Sequence, residues 1–332
     1  MLRRLLPDRF ILWLIGAVAL ALVAPVSSAY AAVVDSVTYA AIFLLFFLHG
    51  ARLPREALIA GFADVKLHAA ILSVTYAVFP LVGLAMMLVM PGLLDPIMWT
   101  GILFLCCVPS TVQSSIAYTS MAGGNVSGAV AAAAFSNMAG VFVTPLLAGL
   151  ILDAQGAAIS PSGIGRIFVL LFLPFLLGHA LRPWIFPLIE RRRALTAVVD
   201  KGTILLAVYG AFSAAVVDRV FEQLPTAQLA ILVALCLLLL ALVLAAAWTI
   251  GRLGGFPSGS RDAILFCGSV KSIGSGAPMA KVLFPSATVA PVLLPLMLYH
   301  TMQLLVCASI AGALARRRVM PEAPGKEPSL RA

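Results

Sequence analysis

The sequence is short of charge. Of its 332 residues only 11% are Asp, Glu, Lys or Arg, against about 25% in an ordinary soluble domain. Acidic residues are the scarcer sign, 13 against 22 Lys and Arg. Histidine is rare, with four copies, and the five cysteines (Cys106, Cys107, Cys236, Cys267, Cys307) form no CxxC pair and have no histidine at ligand spacing. That excludes a zinc motif and a disulfide framework, so the cysteines read as small, buried, reduced residues. The chain also lacks a glycine-rich phosphate loop and a Ser-His-Asp set. ATP-driven pumping and intramembrane hydrolysis therefore have no residues to rest on, and neither an enzyme nor a bound cofactor is expected.

What is present is hydrocarbon. Apolar residues make up 62% of the chain, against about 45–50% in soluble proteins. The runs at 67–90, 126–152 and 229–250 reach the roughly 20 residues that a helix needs to cross the lipid tails. The bilayer is therefore the solvent and the first partner. A net charge of +9 would suggest nucleic acid in a soluble protein, but here the basic residues sit between apolar runs or in the tail. No nucleic-acid partner is expected.

Apolar runs and their breakers predict ten spans, near 10–28, 34–50, 67–90, 97–121, 126–152, 164–182, 201–217, 227–250, 262–284 and 289–315. With the N-terminus cytoplasmic, almost every basic residue falls on the inner side. Only Arg166 and Arg219 fall outside, and only Lys271 and Lys281 fall within a span. That bias predicts a multi-pass inner-membrane protein with both termini in the cytoplasm. Arg3 and Arg4, the apolar run at 10–24 and Ala29-Tyr30-Ala31 imitate a secretory signal. Reading the run as a retained first span keeps the number of spans even. Residues 183–201 carry Arg191-Arg192-Arg193 beside Trp184 and Phe186. They read either as an interfacial segment or as a charged loop that enforces topology. Residues 317–332 are polar and proline-rich, and predict a disordered cytoplasmic tail.

A cut near residue 160 leaves five spans on each side, 1–160 and 161–316. An odd number per half makes the second half enter the membrane upside down, the layout of inverted-repeat transporters. The fourth span of each half supports this, since Thr-Val-Gln-Ser at 111–114 aligns with Ser-Val-Lys-Ser at 269–272. Polar and helix-breaking residues at mid-membrane depth cluster in these two spans alone. In span four, Pro109 removes a backbone donor and Ser110, Thr111, Gln113, Ser114 and Ser115 bring polar groups. In span nine, Gly268, Gly274 and Gly276 loosen the helix, while Ser269, Ser272 and Ser275 surround Lys271. Broken helices expose carbonyls that hold cations and amides that hold anions. The plainer reading is that small residues let helices pack closely; two such segments in matching positions favour a binding site.

Lys271 stands out because a charge at the bilayer centre must be paired, neutralised or solvated. All 13 acidic residues fall in loops, tails or span ends, which leaves it without an evident carboxylate. Such a cation can serve an anionic substrate or stand in for a bound metal ion; snorkelling to the interface is the plainer reading. In span ten, His300 lies beside Tyr299, Thr301 and Gln303. It reads either as a substrate or proton ligand or as a packing histidine.

These residues resemble the bile acid:sodium symporter family, solute carrier family 10, and most of all its orphan member-seven-type branch and bacterial homologues. The resemblance rests on 106–115 (Cys-Cys-Val-Pro-Ser-Thr-Val-Gln-Ser-Ser), Gly124-Asn125-Val126, Thr144-Pro145-Leu146, 271–276 (Lys-Ser-Ile-Gly-Ser-Gly), Pro278-Met279-Ala280 and Tyr299-His300, and spans about 8–316. It implies an all-α protein of ten transmembrane helices in two inverted five-helix repeats. Helices four and nine would be broken and cross in a core domain that moves against a panel domain. The implied activity is alternating-access transport of a small organic anion, with Asn125 and the polar residues of both breaks at the binding site. Sodium-coupled members carry an acidic residue and a glutamine on the broken ninth helix. Here those positions match Cys267 and Lys271, and the helix-five ligand positions fall on Ala129 and Ala133. Sodium needs several oxygen ligands, so the coupling ion is left open between sodium, a proton and none. The two functional expectations are an anion transporter in which Lys271 replaces one sodium or grips the substrate, and a non-transporting regulator or adaptor that keeps the fold.

Overall fold

The computed structural model describes residues 9–52, 64–153, 166–223 and 226–319. Among them every regular element is helical and no strand occurs. With no water in the hydrocarbon to satisfy backbone N–H and C=O groups, a spanning segment satisfies them within its own helix. In chain order these are α1 (Arg9–Val23), α2 (Ser28–Arg52), α3 (Val65–Val89), α4 (Pro96–Cys107), α5 (Val112–Met121), α6 (Val126–Asp153) and α7 (Phe168–Ala180). Then follow α8 (Arg182–Arg191), α9 (Arg193–Val217), α10 (Thr226–Leu253), α11 (Ser258–Ser269), α12 (Ile273–Leu283) and α13 (Ser286–Val319).

Six of these, α2, α3, α6, α9, α10 and α13, are long and apolar enough to cross a membrane by themselves. Two bent pairs raise the number to eight if each pair is one span: α4 with α5, bent by 63°, and α7 with α8, bent by 92°. Large apolar side chains such as Leu81, Leu88, Leu146 and Leu150 point outward, as lipid-facing residues do. The chain is a multi-pass membrane protein.

Six to eight candidate spans among the described residues stand against the ten expected, because α1 has only 15 residues and α11 with α12 does not pass as one span; three further differences are of detail. Residues 183–201 are not a loop. Pro183 sits in the first turn of α8, where its missing N–H costs nothing, and only Arg192 (φ −118°, ψ 40°) interrupts the helix before α9 begins at Arg193. The expected tail begins as helix, because Arg316, Arg317 and Arg318 form the last turn of α13, where cations complement the helix dipole. Finally, α3 contains a widened turn at Val74–Val78. The first eight residues, the boundary near 160 and the tail beyond 319 lie outside the described residues.

The helices pack as two sets. In the first, α2 runs along α7 and α9, and α1 along α9. In the second, α13 packs on α4, α10 and α12, and α11 on α3, α5 and α10. Contact between the sets runs mainly through α9 against α12 and α13. One ion pair also joins them: Lys281 Nζ of α12 lies 2.7 Å from Asp35 Oδ1 of α2. The described residues contain no other ion pair between the sets.

The first set is held by unusually close contact. A Cβ on Gly50 would overlap the Phe175 carbonyl, and one on Gly178 would overlap the Phe47 carbonyl, so α2 and α7 touch backbone to backbone. Gly178→Ala is expected to force them apart at a cost of about 1–3 kcal/mol. It should lower the melting temperature of the purified protein in detergent, and an unchanged melting temperature would show that this contact is not maintained.

Candidate functional site

Helix α4 stops at Cys107 because Pro109 has no N–H to give to Leu105. The chain is extended from Val108 (ψ 154°) to Thr111 (ψ 128°) before α5 restarts it. α11 stops at Ser269 without a proline, with Val270 and Ser272 extended, and α12 restarts at Ile273. The Ser272 hydroxyl accepts the Ser275 N–H at 3.2 Å, which caps α12.

The two breaks face each other. Ser272 N–H donates to the Pro109 carbonyl at 2.9 Å, and the Thr111 hydroxyl donates to the Lys271 carbonyl at 2.9 Å. From α13, the Gln303 amide takes both backbone groups of Lys271. Its Oε1 accepts the Lys271 N–H at 2.7 Å and its Nε2 donates to the Lys271 carbonyl at 2.8 Å. His300 Nδ1 lies 3.1 Å from the same carbonyl, and the Tyr299 hydroxyl donates to the Ser269 carbonyl at 2.7 Å. A segment without helical hydrogen bonds is thus satisfied by side chains from neighbouring helices.

The Lys271 side chain enters the bundle and is 0% exposed. Its ammonium donates to the carbonyls of Thr75 (2.9 Å), Cys106 (2.8 Å) and Val108 (2.8 Å). Local sequence explains why each is free. Cys106 and Val108 flank the α4 break. At the widened turn of α3 the Phe79 N–H bonds to Val74 instead of Thr75, and the next residue, Pro80, has no N–H to offer. The Phe79 ring completes the enclosure, its centroid 3.9 Å from the ammonium. An ammonium has three donors and no more, and all three are taken.

Other expected site residues are distributed unevenly. Ser110 and Ser114 flank the α5 start with buried hydroxyls that have no partner. Ser115 folds back on the Thr111 carbonyl at 2.5 Å, and Ser269 on Leu265 at 2.5 Å. The Ser275 hydroxyl donates to Asn137 Oδ1 at 2.8 Å. Gln113 and Thr301 are exposed, and Thr301 bonds only to Met297 in its own helix. Asn125 caps α6 through the Gly128 N–H, and its own N–H bonds to Gly259. That places it at the far end of α11, about 15 Å from the break by the helix rise. Cys267, Ala129 and Ala133 are all fully buried, and the Cys267 thiol lies 3.8 Å from the Ala129 carbonyl, with the Ser115 and Thr119 hydroxyls beside it.

Two participants were not singled out from the sequence. Thr75 contributes a backbone group, which composition never reveals, although Phe79-Pro80 mid-span marks an unusual turn. Gln303 is a lone amide in an apolar helix, noted above only as a neighbour of His300. Gln303→Met would strand the N–H and C=O of Lys271, at about 1–3 kcal/mol for a buried unsatisfied group. It is expected to lower the melting temperature in detergent by more than Thr301→Val, whose hydroxyl faces outward. Equal effects would mean that Gln303 does not hold the break.

Interrupted membrane helices that meet at a buried charge define a class of protein, the secondary transporters. Residues 8–316 match the SBF-like CPA transporter family, and the chain belongs to that family. Its relatives include "Uncharacterized protein PA2026" of Pseudomonas aeruginosa, 46% identical over 97% of this chain and 99% of that one. "Putative symporter YfeH" of Escherichia coli is 42% identical over 93% of each. "Sodium/bile acid cotransporter 7" of Rattus norvegicus is 27% identical over 82% and 81%.

Proposed function

We propose that this protein is a secondary transporter of a small organic anion, in which the Lys271 ammonium permanently replaces one coupling sodium. In this reading the chain forms two inverted five-helix repeats, 1–160 and 161–316. α4–α5 and α11–α12 are the broken fourth and ninth spans, and the second helix set is a core that rocks against the first as a panel. The basic ends of the helices face the cytoplasm, and the protein resides in the inner membrane.

The observation that carries the reading is the cage around Lys271. Three backbone carbonyls at 2.8–2.9 Å and an aromatic face are what a desolvated cation requires, and here the cation is covalently attached. Full burial and saturation of its donors favour this over a direct grip on the substrate. The unpartnered hydroxyls of Ser110 and Ser114 are the polar groups left for a passing solute, beside the already bonded Ser272, Ser275 and His300. Names of relatives join symport to sodium and bile acid, which supports an anionic substrate. Sodium itself is disfavoured as the coupling ion, because sulfur and methyl groups stand at Cys267, Ala129 and Ala133 where oxygen ligands are needed.

The test begins without a substrate. Sodium chloride against choline chloride at equal ionic strength is expected to leave the melting temperature of the wild type unchanged. A bound ion at ten times its dissociation constant would add about 1.4 kcal/mol, which is readily detected. Stabilisation of the wild type by sodium would refute the replacement role. Once an anion that stabilises the protein is found, Lys271→Gln should abolish its uptake into proteoliposomes, and normal uptake by that variant would sink the proposal.

Alternating access also requires the sets to part at Lys281 and Asp35. Lys281 is 1% exposed, so Asp35→Asn leaves a buried ammonium without its counter-ion, a change that costs about 3–5 kcal/mol in buried pairs; Asp35 is itself about a third exposed, so the lower end applies. The single variant is expected to melt earlier, and adding Lys281→Met to it should recover part of the loss. If the double variant is no more stable than the single one, the pair is not what ties the sets together.

A further inference from the structure

The elbow between α7 and α8 has no part in the site above, yet it gathers basic groups whose buried nitrogens are only partly satisfied among the described residues. α2 and α7 touch at Gly50 and Gly178. Each then ends near an arginine, with Arg52 closing α2 and Arg182 opening α8. α8 turns away at 92° and is held beneath α2 by a small core of its own, Leu48, Ala51 and Ile189. Arg52 gives one bond to Asp200 Oδ2 at 2.5 Å. Its other terminal nitrogen, the Arg182 Nε and the His179 Nδ1 are buried with no hydrogen-bond partner, and so is the second oxygen of Asp200. One carboxylate, already bonded to Arg52, is the only acid paired with these groups among the described residues, and the Arg182 guanidinium lies 4.7 Å from the centroid of the Phe186 ring.

We propose that this elbow binds a phosphate group, supplied by the head group of an anionic phospholipid. Guanidinium N–H groups, with an imidazole nitrogen beside them, match the oxygens of a phosphate better than any other common anion at a membrane surface. The lipid source follows from the outer face of α8. Trp184 is 73% exposed and Leu188 is exposed beside it, and the exposed Arg191, Arg192 and Arg193 follow. A helix built this way lies in the interface, with apolar side chains toward the tails and its basic run at head-group level. Free phosphate offers the same oxygens without the tails. This inference does not depend on the role of Lys271.

The full-length protein is reconstituted in nanodiscs of phosphatidylcholine, with or without phosphatidylglycerol, and its melting temperature is followed together with phospholipid retained in native mass spectrometry. Phosphatidylglycerol is expected to raise the wild-type melting temperature by a few degrees and to remain bound. Arg182→Gln should abolish most of that rise and the retained lipid, with little change in phosphatidylcholine alone, while Arg317→Gln, exposed at the end of α13, should keep both. A matching rise from inorganic phosphate in phosphatidylcholine discs, also removed by Arg182→Gln, would confirm the site and assign it to free phosphate. No rise in the wild type from either source overturns the proposal. So does a rise that Arg182→Gln leaves intact, or an Arg182→Gln variant that melts early in every lipid.

Discussion

An ammonium that has exchanged its water for three backbone carbonyls sets conditions on much of this bundle. Lys271 is fully buried in a membrane protein, where a charge costs several kcal/mol by any scale, and among the described residues no carboxylate pairs with it. The carbonyls that hold it must be free of their own helices. That requires a break in α4, a widened turn in α3 and a break in α11 to deliver the side chain. Each irregularity would destabilise an isolated helix. Together they satisfy one another, because the backbone groups released at the breaks are taken by the opposite break, by Gln303 and by Lys271 itself.

The two helix sets cohere by different physics. The first relies on surface matching, with glycines letting α2 and α7 approach until backbones touch and Leu48, Ala51 and Ile189 filling the space beside α8. The second is cross-linked by polar groups around its breaks. At its basic end Arg318 joins Asp262 of α11 at 2.6 Å and the Ala122 carbonyl after α5. Between the sets the contacts of α9 are joined by one ion pair. Strong cohesion within each set and sparse polar attachment between them is the distribution that favours motion as two rigid bodies.

Much of this was legible in the sequence, for identifiable reasons. Apolar length located the spans because the bilayer imposes a fixed thickness. Pro109 and the glycines around Lys271 located the breaks because they act through the backbone whatever surrounds them. For 183–201 the sequence left an interfacial segment and a charged loop both open, and the structure, helical on either side of Arg192, excludes the loop. Asn125 was grouped with the breaks on resemblance alone, although its Asn-Val-Ser-Gly context is that of a helix cap. The partners of Lys271 could not be read at all: carbonyl groups belong to every residue, and only the fold selects Thr75, Cys106 and Val108.

A tethered cation differs from a bound one in what it contributes to work. A sodium ion that is captured on one side and released on the other carries its gradient into the cycle, and the limiting accumulation ratio of the solute grows with each ion carried. On the proposed reading the ammonium of Lys271 answers the carbonyl dipoles that a bound ion would, but never exchanges with either compartment. It can hold the breaks in shape and favour a nearby negative charge, yet it brings no electrochemical energy. A transporter built in this proposed way would concentrate its solute less steeply than one that carries a sodium ion in that place.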